Sequence, residues 1–304
     1  MRIGVIGAGA MGGLFGGSLA LAGHDVFFIE VSPVTIQAVR TEGLRLTREG
    51  VRHVLKLPIG SAAEFSGVCD LLIVFTKGMH TRSAVEAAAH LVGPDTWALT
   101  VQNGLGNPQA IHAVIPPGRV AIGMTNWPAD VPGPGEVDIH GDGVVRIWTD
   151  TGVADPRIET IAAALDEAGL GAAPDPQVEV VIWEKVAMNA AMNALCCLLR
   201  ETVGGVAASA DARAVADDVL REVVAVATAK GIAVSLERVR GMVAHGMAEH
   251  ADHKPSMLQD RLAGRPTEID FLNGAVVAEG KALGIPTPVT GTLARLVRFG
   301  EPKR

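Results

Sequence analysis

The chain contains no tyrosine, and aromatic residues make up only 4% of its 304 positions. A mechanism built on a phenolic acid is therefore excluded. Cysteine is scarce: Cys69, Cys196 and Cys197 are too few for a disulfide framework and fit a reducing compartment. Charged residues are 19%, with 26 Lys and Arg against 33 Asp and Glu, a net charge of −7. That acidic balance argues against nucleic acid as the principal partner. Low charge beside 48% hydrophobic residues excludes an intrinsically disordered chain. Outside residues 3–22, no segment is expected to be long and apolar enough to span a bilayer. Residues 3–22 carry no charge and follow Arg2, but they hold seven glycines. Each glycine costs about 1 kcal/mol inside a helix relative to alanine. A strand, a glycine turn and a helix fit this segment better than a signal peptide or a membrane span.

What is present is a change of pattern part-way along. Residues 2–6 read as a buried strand, 11–22 as a helix and 25–30 as a second strand. A helix over 34–42 follows the Ser32-Pro33 start signal, and 44–47 with 51–57 suggest a hairpin. The apolar run 70–75 (DLLIVF) marks a strand buried on both faces. A helix over 81–91 and a strand over 97–101 continue the alternation, which implies a parallel sheet flanked by helices. Proline and glycine turns then separate short strands over 120–149, as in antiparallel pairs, and Pro156 opens a helix over 155–168. Beyond Pro174-Asp175-Pro176 the spacing is helical over 177–199, 210–230, 235–249, 266–283 and 289–299. The expected organisation is α/β, a Rossmann-type doubly wound domain over 1–174 and an all-helical domain over 175–304.

Gly7-Ala8-Gly9-Ala10-Met11-Gly12 is G-x-G-x-x-G between a strand and a helix, the context in which that motif binds a dinucleotide. Gly7 permits the tight turn, Gly9 the approach of a pyrophosphate, and Gly12 close packing of helix on strand. The helix N-terminus offers N–H groups and a positive dipole end. Glu30 ends the second strand, where a carboxylate accepts bonds from both ribose hydroxyls and repels a 2′-phosphate. No basic residue follows until Arg40, so Glu30 favours NAD(H) over NADP(H). Thr76-Lys77 and Gln102-Asn103-Gly104 follow buried strands, at the sheet end where open α/β folds bind ligands. Lys77 suits a phosphate or an anionic substrate, and Asn103 offers an amide donor and acceptor or an ordinary turn residue.

Lys185, Asn189 and Asn193 repeat at i, i+4 and i+8 among small apolar residues, so they line one helical face. Polar groups set this way are costly unless bonded. A ligand fits that need, and so does an interhelical polar network. A lysine beside a ketone can polarise the carbonyl and protonate the alkoxide. Ser256, after Pro255, is a further candidate. Glu268 and Asp270 read as the first turn of a helix, where acidic residues are favoured for dipole reasons alone. His245, His250 and His253 do not share one helical face, and no metal site is expected from them. Cys196-Cys197 reads as a pair of small buried hydrophobes.

Taken with GAGAMG at 7–12, these residues resemble the ketopantoate reductase (2-dehydropantoate 2-reductase) family over nearly the whole chain. The markers are the TK pair at 76–77, QNGLG at 102–106, WEKVAMNAAMNAL at 183–195, KPSMLQD at 254–260 and TEIDFLNG at 267–274. The resemblance implies a Rossmann domain followed by a helical domain like that of 6-phosphogluconate dehydrogenase. It implies Lys185 as general acid, Asn189 and Ser256 in contact with substrate, and Asn193 supporting them. It implies Glu268 acting on the cofactor or substrate side, and Lys77 and Asn103 lining the same cleft. Familiar members use NADPH and carry a basic residue after the second strand, where this chain has Glu30-Val31. Similar D-mandelate dehydrogenases use NAD.

The expectation is a cytoplasmic NADP- or NAD-dependent oxidoreductase that reduces the C2 ketone of 2-dehydropantoate to pantoate, for pantothenate and coenzyme A biosynthesis. Its expected partner is a small 2-oxo acid, with no nucleic acid or membrane, and a homodimer fits. Two other readings stay open. One is an NAD-dependent D-2-hydroxy acid dehydrogenase of the same family. The other is a dinucleotide-sensing regulatory protein, which would have no need of Lys185, Asn189 and Asn193 together.

Overall fold

A computed structural model describes residues 1–302. The chain divides into two compact units, Met1–Gln102 with Asn107–Val178, and Asn103–Gly106 with everything from Glu179 onward. The elements of the first unit are β1 (Arg2–Ile6), α1 (Ala10–Leu21), β2 (Asp25–Ile29), α2 (Pro33–Glu42), β3 (Leu44–Arg48), β4 (Val51–Leu55), β5 (Ile59–Gly60) and β6 (Leu71–Val74). They continue with α3 (Thr81–Ala87), β7 (Trp97–Thr100), α4 (Asn107–Ile111), β8 (Val120–Thr125), β9 (Ala129–Asp130), β10 (Glu136–Ile139), β11 (Val145–Thr149), α5 (Pro156–Glu167) and β12 (Ala172–Pro174).

Eight strands form the main sheet in the order β12-β11-β8-β7-β6-β1-β2-β5, parallel throughout except where β11 runs against β8. The order reverses at β1, whose neighbours β2 and β6 lie on opposite sides. That switch point opens a crevice at the carboxyl ends of the strands. β6 and β7 are buried on both faces, as their continuous apolar sequences require. A second sheet, β4-β3-β10-β9, sits over α1. Helix α1 is apolar all round because both sheets press on it. A Cβ at Gly16 would lie 2.5 Å from the Phe28 ring, and one at Gly13 would lie 2.5 Å from Val137 on β10.

Two readings of the first unit change. The strands of 120–149 are not simply antiparallel pairs: β8 extends the parallel sheet and β10 pairs parallel with β3, because β10 reaches back to the β3–β4 hairpin. Helix α3 stops at Ala87 and passes into a 3₁₀ turn at Ala89–Leu91. Local caps behave as their sequences suggest. The Ser32 hydroxyl accepts from the Thr35 N–H at 3.4 Å, and the Asp155 carboxylate accepts from the Arg157 N–H at 2.8 Å.

The second unit is helical: α6 (Val178–Leu199), α7 (Val203–Ala208), α8 (Ala210–Ala229), α9 (Leu236–Glu249), α10 (Ser256–Leu262), α11 (Asn273–Leu283) and α12 (Pro288–Phe299). Helix α6 is its core element. Against the sequence expectation, it is by length and composition long and apolar enough to cross a membrane, because a core helix is apolar on most of its faces; 72% of its most apolar window is buried in the protein. The short helices α7 and α10 lie in stretches without a readable apolar period. The helix expected over 266–283 begins only at Asn273, so Glu268 and Asp270 stand in the turn before it, not in a first helical turn. The Thr267 N–H and hydroxyl both donate to the Glu301 carboxylate, at 2.9 and 2.6 Å. The Glu268 carbonyl closes the turn by accepting from the Phe271 and Leu272 N–H groups.

Candidate active site

On the first unit, β1 ends in the glycine loop. Gly7 adopts φ +95° and its N–H donates to the Ile29 carbonyl at 2.8 Å. Such a backbone favours glycine. A Cβ at Gly12 would stand 1.8 Å from the Gly7 carbonyl oxygen, so no side chain is tolerated there. A Cβ at Gly9 would meet nothing within 4 Å. The loop is thus closed on its protein side and open on the other. The first-turn N–H groups of α1 have no intrahelical partner, and no acidic side chain occupies that turn. This arrangement fits a pyrophosphate.

Glu30 is half-buried beside the loop. One carboxylate oxygen accepts from the Ala8 N–H at 2.8 Å, and the other from the Val31 and Ser32 N–H groups at 2.8 and 2.9 Å. The next residue, Val31, is 86% exposed and offers no charge. Arg40, the first cation downstream, is committed elsewhere: it pairs with Glu64 at 2.5 Å and donates to the Ile59 carbonyl at 3.0 Å. A carboxylate at the end of β2 can accept hydrogen bonds from ribose hydroxyls.

Lys77 is half-buried at the end of the β6 segment, where its carbonyl accepts from the His80 N–H. Gln102 and Thr76, noted in the sequence only as strand-end residues, fix this region together with Thr81, Thr100 and Asn107, which were not singled out. The Gln102 amide donates to the Thr76 carbonyl at 2.5 Å and to the Thr81 hydroxyl at 3.0 Å, and its oxygen accepts from the Thr100 hydroxyl at 2.8 Å. Thr76 and Thr81 hydroxyls lie 3.1 Å apart, and Thr81 reaches the Asn107 amide oxygen. One glutamine therefore ties the loops after β6 and β7. The readable signal was a polar residue directly after a fully buried strand.

On the second unit, α6 carries Lys185, Asn189 and Asn193. The asparagines are 9% and 6% exposed, and neither amide bonds to another group among the described residues. Burial pushes the Lys185 ammonium down to about 8, against the nearby Glu268 carboxylate, which pulls it up. Lys185 and Glu268 thus act on each other within one unit, and Asn103 belongs to that unit too. The Leu105 N–H donates to the Phe271 carbonyl at 2.8 Å, which is why 103–106 leaves the sheet unit. Ser256 is exposed at the start of α10. The preceding Glu184 is 2% exposed, lies 3.2 Å from Arg238 and has its carboxyl pushed up by burial. Asn273, fully buried at the start of α11, donates to the Ala190 carbonyl of α6 at 3.0 Å. Cys196 and Cys197 are buried, and burial raises the Cys196 thiol to about 11, which leaves it unreactive.

Known proteins match this chain along its whole length. The family model described as Ketopantoate reductase PanE/ApbA matches residues 3–149, and Ketopantoate reductase PanE/ApbA C terminal matches residues 177–301. The 2-dehydropantoate 2-reductase of Streptococcus pyogenes serotype M3 is 34% identical over 302 residues, 99% of this chain and 98% of that protein. The protein of the same name from Halobacterium salinarum is 32% identical, with 99% of each chain covered. Among solved structures, 2-dehydropantoate 2-reductase from Geobacter metallireducens superposes with TM-score 0.92 at 31% identity, over 98% of this chain and 99% of the other. A ternary structure of D-mandelate dehydrogenase with NADH and anilino(oxo)acetate superposes with TM-score 0.94 at 31% identity, over 99% and 98%.

Proposed function

The chain belongs to the ketopantoate reductase family, and on that footing we propose that it is a 2-dehydropantoate 2-reductase, an NAD(P)H-dependent oxidoreductase that makes pantoate. The observation that carries the reading is the α6 face, where a lysine titrating near 8 shares one side of the helix with two unpaired, nearly buried asparagines. Bound NAD(P)H supplies the hydride. The glycine loop 7–12 and Glu30 hold its pyrophosphate and ribose, and Lys77 adds a positive charge at the same sheet end. Lys185 donates its proton to the oxygen developing at C2, and is reprotonated from solvent. A pKa near the working pH makes both transfers accessible. Asn189 and Asn193 present amides to the C2 oxygen and the neighbouring carboxylate, and Ser256 donates to that carboxylate. Glu268 keeps Lys185 charged and orients the bound molecules, with Asn103 on the same unit.

NADH is the preferred coenzyme in this reading, supported by the Glu30 carboxylate, the uncharged Val31 and the commitment of Arg40 to Glu64. A second reading, an NADH-dependent D-2-hydroxy acid dehydrogenase, is favoured by Glu30 and by likeness to the D-mandelate dehydrogenase complex. The enzyme acts in the cytoplasm as a homodimer, which light scattering of the purified protein checks. The deciding experiment follows absorbance at the nicotinamide band with 2-dehydropantoate or benzoylformate, each with NADH and NADPH. Faster oxidation with 2-dehydropantoate and NADH is expected. Bound cofactor without oxidation by 2-dehydropantoate overturns the substrate, and turnover of benzoylformate alone establishes the second reading.

A further inference from the structure

We infer that Gly104 is a positioning residue of the reductase: it lets the 103–106 segment dock on the Phe271 main chain, and so carries Asn103 with the helical unit and its lysine. The inference rests on the reductase reading above. Gly104 has φ +85°, and a Cβ there would lie 2.3 Å from the Phe271 carbonyl oxygen. That same oxygen accepts from the Leu105 N–H at 2.8 Å. The Leu105 side chain packs against the core of the helical unit. Phe271 in turn donates its N–H to the Glu268 carbonyl at 3.0 Å, and Glu268 is the carboxylate that acts on Lys185. One short chain of main-chain contacts therefore runs from Asn103 to the acid–base pair. Asn103 brings an amide with both donor and acceptor, the equipment needed to bind a polar group of the substrate. Its placement depends on an approach that only glycine allows.

Gly106 supplies the control. It has φ +88°, nearly the value of Gly104, yet a Cβ there would meet nothing within 4 Å. Gly104→Ala and Gly106→Ala thus impose similar left-handed strain, and only the first displaces the segment. A Cβ at 2.3 Å must retreat by about 1 Å to reach ordinary contact, a displacement that can cost about a hundredfold in rate. The expected result is a fall in kcat of about a hundredfold for Gly104→Ala with an unchanged Kd for NADH, and near wild-type kinetics for Gly106→Ala. In an Asn103→Ala background, Gly104→Ala is expected to cost little more. Should Gly104→Ala fail to fold, Leu105→Ala weakens the same docking without backbone strain, and a milder kcat loss that vanishes in the Asn103→Ala background is expected. Equal effects of the two glycine variants, or a full Gly104→Ala effect without Asn103, overturn the positioning role. Wild-type protein that reduces neither 2-dehydropantoate nor benzoylformate overturns the reductase reading itself, and the inference with it.

Discussion

Lys185→Met separates the chemical task of the lysine from its cost to the fold. Methionine keeps the length and apolar stem of the side chain and removes the charge. The fall of the ammonium pKa from 10.5 to about 8 means that the folded protein holds the charged form less well than the unfolded chain does. At about 1.4 kcal/mol per tenfold change in proton affinity, that is about 3 kcal/mol of destabilisation. The sign follows from proton counts. Below pH 8 the lysine is charged in both states and the whole penalty is present. Between 8 and 10.5 the folded state releases its proton first, so the penalty shrinks as pH rises, and above 10.5 it is gone. Lys185→Met is therefore expected to be more stable than wild type at pH 7, by at most about 3 kcal/mol. That figure is already net of the attraction of Glu268, which holds the lysine pKa up against burial. Denaturant melts of both proteins at pH 7, 8.5 and 10 read the difference. The same variant is expected to lose about 10² or more in kcat while binding NADH as wild type does, since the glycine loop lies in the other unit. A variant that is less stable at pH 7, with a gap independent of pH, refutes the buried-charge argument. Wild-type turnover refutes the catalytic one.

Three other outcomes follow from the geometry. Ketone reduction needs protonated Lys185, so its kcat is expected to fall as pH rises through about 8, and Glu268→Gln is expected to move that inflection to lower pH by removing the charge that raises the lysine; rate–pH profiles of both proteins check it. Val31→Arg places a cation at an exposed position beside Glu30, so KM for NADPH is expected to fall severalfold while KM for NADH holds or rises; initial rates with each coenzyme decide. Gln102→Leu severs the bonds to Thr76, Thr81 and Thr100, and is expected to destabilise the protein by about 2 kcal/mol in denaturant melts, the scale of a broken buried hydrogen-bond network.

Some of this architecture was written locally and some was not. The glycine loop and the α6 row were legible because each depends on a short stretch obeying one geometry. Gly7, Gly9 and Gly12 answer to a single turn and the start of one helix, and Lys185, Asn189 and Asn193 answer to a helical repeat. The Gln102 network was not legible, because Thr76, Thr81, Thr100 and Asn107 meet only once β6 and β7 lie side by side. The start of α11 was misread for a related reason. Pro266 and the acidic residues after it carry the local marks of a helix beginning, but Thr267 is held by Glu301 from the far end of the chain. The crossing of 103–106 likewise turns on one bond to Phe271, a residue more than 160 positions away.

These long-range ties change how site variants should be read. Each unit has its own hydrophobic core, one built around α1 and the sheets, the other around α6. A loss confined to the helical unit should leave dinucleotide affinity standing, because the bonds that hold Gly7 and Glu30 come from residues of the sheet unit. Asn103 and Gly104 are the informative exceptions. They follow a sheet strand in sequence but belong by contact to the helical unit, so their variants are expected to behave like changes at Lys185, lowering kcat, and not like changes in the glycine loop, raising Kd for the cofactor.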